Sequence, residues 1–231
     1  MLRLAISIFL AVASLASLGF AQAQSTDDSL RIYAVNILQD PPQPWTGYGI
    51  YLGKGLVITA AHVVGSASRT KPSVRIAGLD LPANAIKEGN RLDLTLLGNS
   101  VDLTLLLVDE QKLPVSLRMR RMPLCDKPPW VGEPVIVAVP EGTARSRIMS
   151  PQLLPPAMQS KFPTVISDVA TTGNSGSGVF DAGQKCLLGI MSGKIQVSQK
   201  SGDTVAEPRD IAKYFVPASI IAAFIPAEYR F

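Results

Sequence analysis

Short apolar runs of strand character recur along this chain, and turn signals cut them apart. The runs cover 31–38, 48–52, 56–60, 73–76, 92–97, 101–108, 133–139, 164–169, 178–180 and 186–191. Between them stand Gly53-Lys54-Gly55, Gly98-Asn99-Ser100, Glu141-Gly142, Asp181-Ala182-Gly183 and Ser201-Gly202-Asp203. Runs this short at this spacing predict an all-β barrel or sandwich. The 18 glycines and 18 prolines among 231 residues favour turns over long helices. Only two stretches read as helical: a single turn over 60–64, and a short C-terminal helix over about 217–225 that stops before Pro226. The stretch 152–161, flanked and interrupted by Pro151, Pro155 and Pro156, reads as an irregular loop. Asp93-Leu-Thr-Leu-Leu returns as Asp102-Leu-Thr-Leu-Leu, which suggests two facing strands joined at Gly98-Asn99-Ser100.

Hydrophobic residues make up 47% and charged residues 17%, so apolar side chain is ample for a packed core and a disordered or acidic-tail protein is excluded. The net charge of +4 is spread along the chain, and a dispersed charge of this size predicts no nucleic-acid partner.

Residues 1–23 have the form of an export signal. Arg3 precedes an apolar stretch, 4–20, that ends in Ala21-Gln22-Ala23, the small-x-small pattern of a signal-peptidase site. The other reading is a retained membrane anchor, because the stretch approaches spanning length. Removal leaves a polypeptide from 24 to 231 that is periplasmic or secreted, with no stable membrane insertion. In an oxidising compartment Cys125 and Cys186 can pair; the alternative is two separate buried thiols. Two cysteines and one histidine cannot build an ordinary zinc site, so neither a metal nor another cofactor is expected.

Three segments carry chemistry. His62, the one histidine, sits in Thr59-Ala60-Ala61-His62-Val63-Val64 behind an apolar strand. Its bland reading is a structural side chain; its chemical reading is the base that work near neutral pH requires. Gly173-Asn174-Ser175-Gly176-Ser177-Gly178 can present a serine on a tight turn, with the amides of Gly173 and Ser175 aimed at an oxyanion. Its bland reading is a flexible Gly/Ser turn. A phosphate loop is excluded by the missing lysine and glycine order. The third segment is an aspartate at the mouth of an apolar run, able to fix the histidine tautomer. Both Asp93 and Asp102 qualify.

Thr-Ala-Ala-His, Asp-Leu-Thr-Leu-Leu and Gly-Asn-Ser-Gly-Ser-Gly, in that order, resemble the chymotrypsin-like (trypsin-like) serine peptidases. The resemblance is closest to bacterial branches: HtrA-type proteases without a PDZ domain, staphylococcal glutamyl endopeptidases and exfoliative toxins. It implies two six-stranded antiparallel β-barrels, N-terminal over about 30–115 and C-terminal over about 130–215. It further implies a triad of His62, Asp102 and Ser175, an oxyanion hole from Gly173 and Ser175, and a polypeptide substrate. Asp102 is favoured over Asp93 because Leu113-Pro114-Val115 and Val131-Gly132-Glu133-Pro134-Val135 follow it as in the HtrA-type segment. The implied specificity pocket has its base at Val169 and a wall including Gly189, Met191 and Ser192. A valine base carries no charge, so a small or medium apolar side chain is the expected preference. Asn174 stands where digestive relatives carry an aspartate, so their activation by a freed N-terminus is not expected here. Ser177 is the weaker alternative nucleophile. The rival to an enzyme is an inactive protein-binding module on the same scaffold.

Overall fold

The protein is described here from a computed structural model, which covers residues 27–40, 42, 47–89, 101–167, 175–197, 200–201, 204–205 and 209–230. In the first half of the chain, strands β1 (Ala34–Leu38), β2 (Gly47–Gly53), β3 (Leu56–Thr59), β4 (Ser73–Ile76), β5 (Leu79–Glu88) and β6 (Thr104–Val108) close into a barrel in the order β1-β2-β3-β6-β5-β4. A single helical turn, α1 (Ala61–Val64), follows β3. The second half supplies β7 (Pro134–Val139), β8 (Gly142–Met149), β9 (Val165–Ile166), β10 (Gly178–Asp181), β11 (Leu187–Val197), a small ribbon of β12 (Lys200–Ser201) and β13 (Thr204–Val205), and β14 (Arg209–Pro217). The order β10-β11-β14-β9-β8-β7 closes the second barrel, and helix α2 (Ala218–Phe224) follows it. The expected pair of six-stranded antiparallel barrels with a short C-terminal helix is what the chain forms.

The apolar runs are continuous, rather than alternating, because several strands are buried on both faces. Successive side chains of a strand point to opposite sides. In β2, Tyr51 faces the N-terminal barrel interior with Val57, Val74 and Leu106, while Ile50 and Leu52 face outward into a shared layer. In β7, Val135 and Val137 fill the C-terminal barrel with Phe215 and Met191, while Ile136 and Ala138 enter that same layer. The layer between the barrels therefore mates two strand walls, which fixes how the rims of the barrels meet.

Several segments differ from the sequence expectation. Residues 29–33 form a 3-10 turn ahead of β1, not a strand from residue 31. Leu30 buries in the inter-barrel layer, and the Arg31 side chain donates through Nε and Nη2 to the Pro140 carbonyl at 3.0 and 2.7 Å. Strands β5, β8 and β14 had no sequence signal of their own. β5 carries Pro82 and is buried on one side only, and β8 carries the polar run Thr143, Arg145, Ser146 and Arg147, of which the two arginines are exposed. β14 begins with Arg209-Asp210 and keeps Lys213 inside it. Both edges of β6 are taken, by β3 and β5, whereas the repeat suggested a hairpin partner in 92–97, which lies outside the described residues. The proline-rich stretch holds two short turns, Pro151–Leu153 and Pro156–Gln159, each opening on a proline whose fixed φ suits a first turn.

Cys125 and Cys186 are joined in a disulfide. It ties the segment that crosses between the barrels to the approach to β11, beside the bridge Leu124↔Leu187. Among the described residues no helix is long and apolar enough to cross a membrane, and no group of side chains could hold a metal ion.

Candidate active site

The register of two strands brings the first pair of polar groups together. β3 and β6 are antiparallel, with Thr59 opposite Thr104. Three residues beyond Thr59 and two before Thr104 therefore fall at the same barrel rim, and these are His62 and Asp102. In α1 the neighbours Ala61, Val63 and Val64 are buried, which leaves His62 facing the rim with its side chain 23% exposed. Asp102 grips it twice. Oδ1 accepts the His62 backbone N–H at 3.0 Å, and Oδ2 lies 2.8 Å from Nδ1.

The C-terminal barrel delivers the serine to the same rim. Ser175 immediately precedes Gly176, whose φ of +88° is the left-handed region that suits glycine. A Cβ on Gly176 would collide with the Tyr48 carbonyl oxygen and lie 2.6 Å from Thr59 Oγ1. Only glycine allows the turn to press this closely on β2 and β3. The contact is clasped by hydrogen bonds. The Tyr48 N–H donates to the Ser175 carbonyl at 3.1 Å, and the Thr59 hydroxyl donates to the Tyr48 carbonyl at 2.5 Å. From its own barrel the turn is held by Gly176 N–H to Met191 O at 2.8 Å and Met191 N–H to Ser177 O at 2.9 Å.

Ser192 links the two halves. Its carbonyl accepts the Ser175 hydroxyl at 3.4 Å, a long bond, and its own hydroxyl donates to Asp102 Oδ2 at 2.5 Å. One residue thus touches both the serine and the aspartate that orients the histidine. Burial pushes the Asp102 carboxyl up, but the hydrogen bonds and charge from His62, with the Ser192 hydroxyl, outweigh it and hold the group below the usual carboxylate range. Nearby, burial and then the Asp102 charge push the Tyr214 phenol up. A buried carboxylate kept ionised beside an imidazole, with a serine hydroxyl bonded to the residue that also bonds the carboxylate, is an arrangement suited to general-base activation of an alcohol.

The other sequence candidates separate clearly. Gly173, Val169, Asn174 and Asp93 lie outside the described residues. Ser177 is completely buried, and its hydroxyl has no hydrogen-bond partner among the described residues. Met191, expected in a pocket wall, is fully buried in the C-terminal barrel core instead, with Val179, Leu188 and Phe215. Gly189 is packed against β14, where a Cβ would meet the Phe215 ring and the Val216 carbonyl. The open side of β11 is at Gly193, beside which a Cβ would meet nothing. Sequence reasoning placed Ser192 in the pocket wall and missed its bond to Asp102. It also missed the Tyr48–Thr59 clasp. Thr59 stands in the histidine motif, but nothing local marks Ser192, because its partner is far away in the chain.

A family model described as "Trypsin-like peptidase domain" matches residues 47–190, from β2 into β11. No curated protein matches in sequence. Among solved structures, the Rv3671c protease from M. tuberculosis in its active form is 18% identical, with a TM-score of 0.56 over 85% of this chain and 81% of that one. Kallikrein-related peptidase 10 in complex with Zn2+ is 15% identical, with a TM-score of 0.56 over 84% of this chain and 93% of that one. Neuropsin, a serine protease from mouse brain, is 17% identical, with a TM-score of 0.56 over 84% of this chain and 92% of that one. At these identities the likeness is one of fold; the range that the family model covers spans His62, Asp102 and Ser175. The chain belongs to the trypsin-like peptidases, a family of serine-type hydrolases.

Proposed function

We propose that this protein is an exported serine endopeptidase that cleaves polypeptides through an acyl-enzyme. The observation that carries the reading is the bonded path His62–Asp102–Ser192–Ser175 at the rim where the barrels meet. In this reading His62 takes the Ser175 proton as the oxygen attacks a carbonyl carbon. Asp102 holds the imidazole tautomer and stabilises the imidazolium. The Gly173 and Ser175 amides receive the developing oxyanion. Water then releases the acyl group, with His62 as base again. No cofactor enters these steps. Residues 1–23 act as a removable signal, and the barrels over about 30–115 and 130–215 share the site between them. The uncharged Val169 at the pocket base fits small or medium apolar side chains ahead of the cleaved bond.

Hydrolysis of quenched-fluorescence peptides by the mature protein tests this reading. Ser175→Ala should lower turnover by about 10^4-fold or more. Hydrolysis that survives Ser175→Ala, or a wild-type protein without hydrolysis, contradicts the reading and favours a binding module. Dominant cleavage after Arg, Lys or Glu contradicts the pocket assignment alone.

A further inference from the structure

A cavity of about 750 Å³ opens between the segment that crosses from one barrel to the other and the C-terminal helix α2. Its lining includes Leu52 at the end of β2, whereas Tyr48, on the same strand, touches the Ser175 turn. Four residue steps along the strand separate the two places, about 13 Å. The cavity is therefore not the cleft that holds His62.

Its chemistry is two-sided. Leu52, Met122 and Ile225 give it a buried apolar floor, and Leu124 and Tyr229 continue it. Arg121, Arg230 and Asp126 are the charged residues of the lining, for a net charge of +1. The guanidinium groups are fixed by backbone carbonyls. Arg121 Nη1 donates to Arg118 O and Arg120 O, both at 2.6 Å, and Arg230 Nε donates to Ile225 O at 3.1 Å. The terminal amino groups of Arg230 have no partner among the described residues. A planar fork held in place beside an apolar floor is suited to a carboxylate that carries a greasy tail. The volume falls in the range of small-ligand pockets, roughly 300–1,000 Å³.

A peptide fits this place less well. Strand addition needs an unpaired backbone edge. Along the crossing segment the Met122 N–H already donates to Leu52 O at 2.9 Å, Pro123 O accepts from the Leu187 N–H at 2.8 Å, and the Cys125 N–H donates to Leu187 O at 3.0 Å. Pro123 itself has no N–H to offer. A ligand without backbone amides loses nothing here.

We propose that this cavity binds the anion of an apolar carboxylic acid of the fatty-acid type. The tail lies over Leu52, Met122 and Ile225, and the carboxylate meets Arg230 and Arg121. This site does not depend on the peptidase reading, and Ser175→Ala leaves it intact.

Isothermal titration of the mature protein with dodecanoate, below its micelle concentration, is the test. One saturable site is expected, with no saturable binding of dodecyltrimethylammonium. Ala222 is exposed on α2 and lines the cavity, so Ala222→Trp should plug it and weaken binding by about tenfold or more. Arg230→Met should weaken binding by about threefold to fivefold, in line with an exposed charge pair. Asp126→Asn should tighten it. Absence of saturable binding overturns the proposal. So does binding that neither Ala222→Trp nor Arg230→Met alters, or cationic amphiphile bound as well as dodecanoate. If Ala222→Trp fails to fold, Arg230→Met decides alone, because Arg230 is exposed and sits after the last turn.

Discussion

Asp102 is a carboxylate that burial alone would neutralise: it is 2% exposed. It stays ionised because His62 supplies two hydrogen bonds and Ser192 a third. Removing its charge while keeping its shape should therefore cost far more than removing one donor. Asp102→Asn is expected to lower kcat/KM by on the order of 10^3–10^4-fold, through the wrong imidazole tautomer. Ser192→Ala removes one bond to a charged group and should cost about tenfold to a hundredfold. Steady-state kinetics of the two variants checks the order, and equal losses would contradict the account. His62 and Ser175 stood out as candidates because each stands in a short motif with its own chemistry, whereas Asp102 shared its motif with Asp93 and was favoured only by the segments that follow it. Ser192 was not legible as a partner of Asp102, because its function comes from a contact made 90 residues away.

At the scale of elements, the turn that carries Ser175 is set by strands of the opposite barrel. Thr59 bonds the Tyr48 carbonyl, and Tyr48 in turn bonds Ser175. Thr59→Val keeps the volume and removes the buried hydroxyl bond to the Tyr48 carbonyl, at a cost of about 1–3 kcal/mol. The expected result is a fall in kcat of roughly tenfold with little change in KM, because the serine shifts while the cleft remains. Thr59→Ser should restore kcat. A variant that lost stability with an unchanged kcat would assign Thr59 to the fold alone. The legibility of the elements followed their burial. The doubly buried strands β2, β3, β6 and β7 announce themselves as apolar runs. Strands β5, β8 and β14 pair through backbone bonds that need no continuous apolar run, so the polar residues and the proline they carry hid them. The barrels themselves were legible from the number and spacing of strands together with the family motifs.

Across the whole molecule, the two barrels are joined by more than their shared apolar layer. The segment ahead of β1 places Leu30 in that layer and Asp27, which is 4% exposed, against the C-terminal barrel. Asp27 accepts from Arg145 Nε at 2.6 Å and Lys185 Nζ at 2.8 Å. Burial pushes its carboxyl up, and the Lys185 and Arg145 bonds and charges outweigh that and hold it below its ordinary value. A lowered folded-state pKa stabilises above the ordinary carboxylate value, and the gain is lost as pH falls through the folded value. Asp27→Asn should therefore destabilise the protein at neutral pH by about 1 kcal/mol, a figure reduced for the exposure of Arg145, and make little difference at strongly acid pH. Thermal melts of both proteins across acid and neutral pH check this. A destabilisation that persists unchanged into acid would contradict it.

The account stands on one claim, that His62 makes the Ser175 hydroxyl reactive. A fluorophosphonate probe with the site of attachment mapped by mass spectrometry tests it most directly. The predicted result is a single adduct on Ser175, lost in His62→Ala. An adduct on Ser177, or labelling of Ser175 that is indifferent to His62, would contradict it.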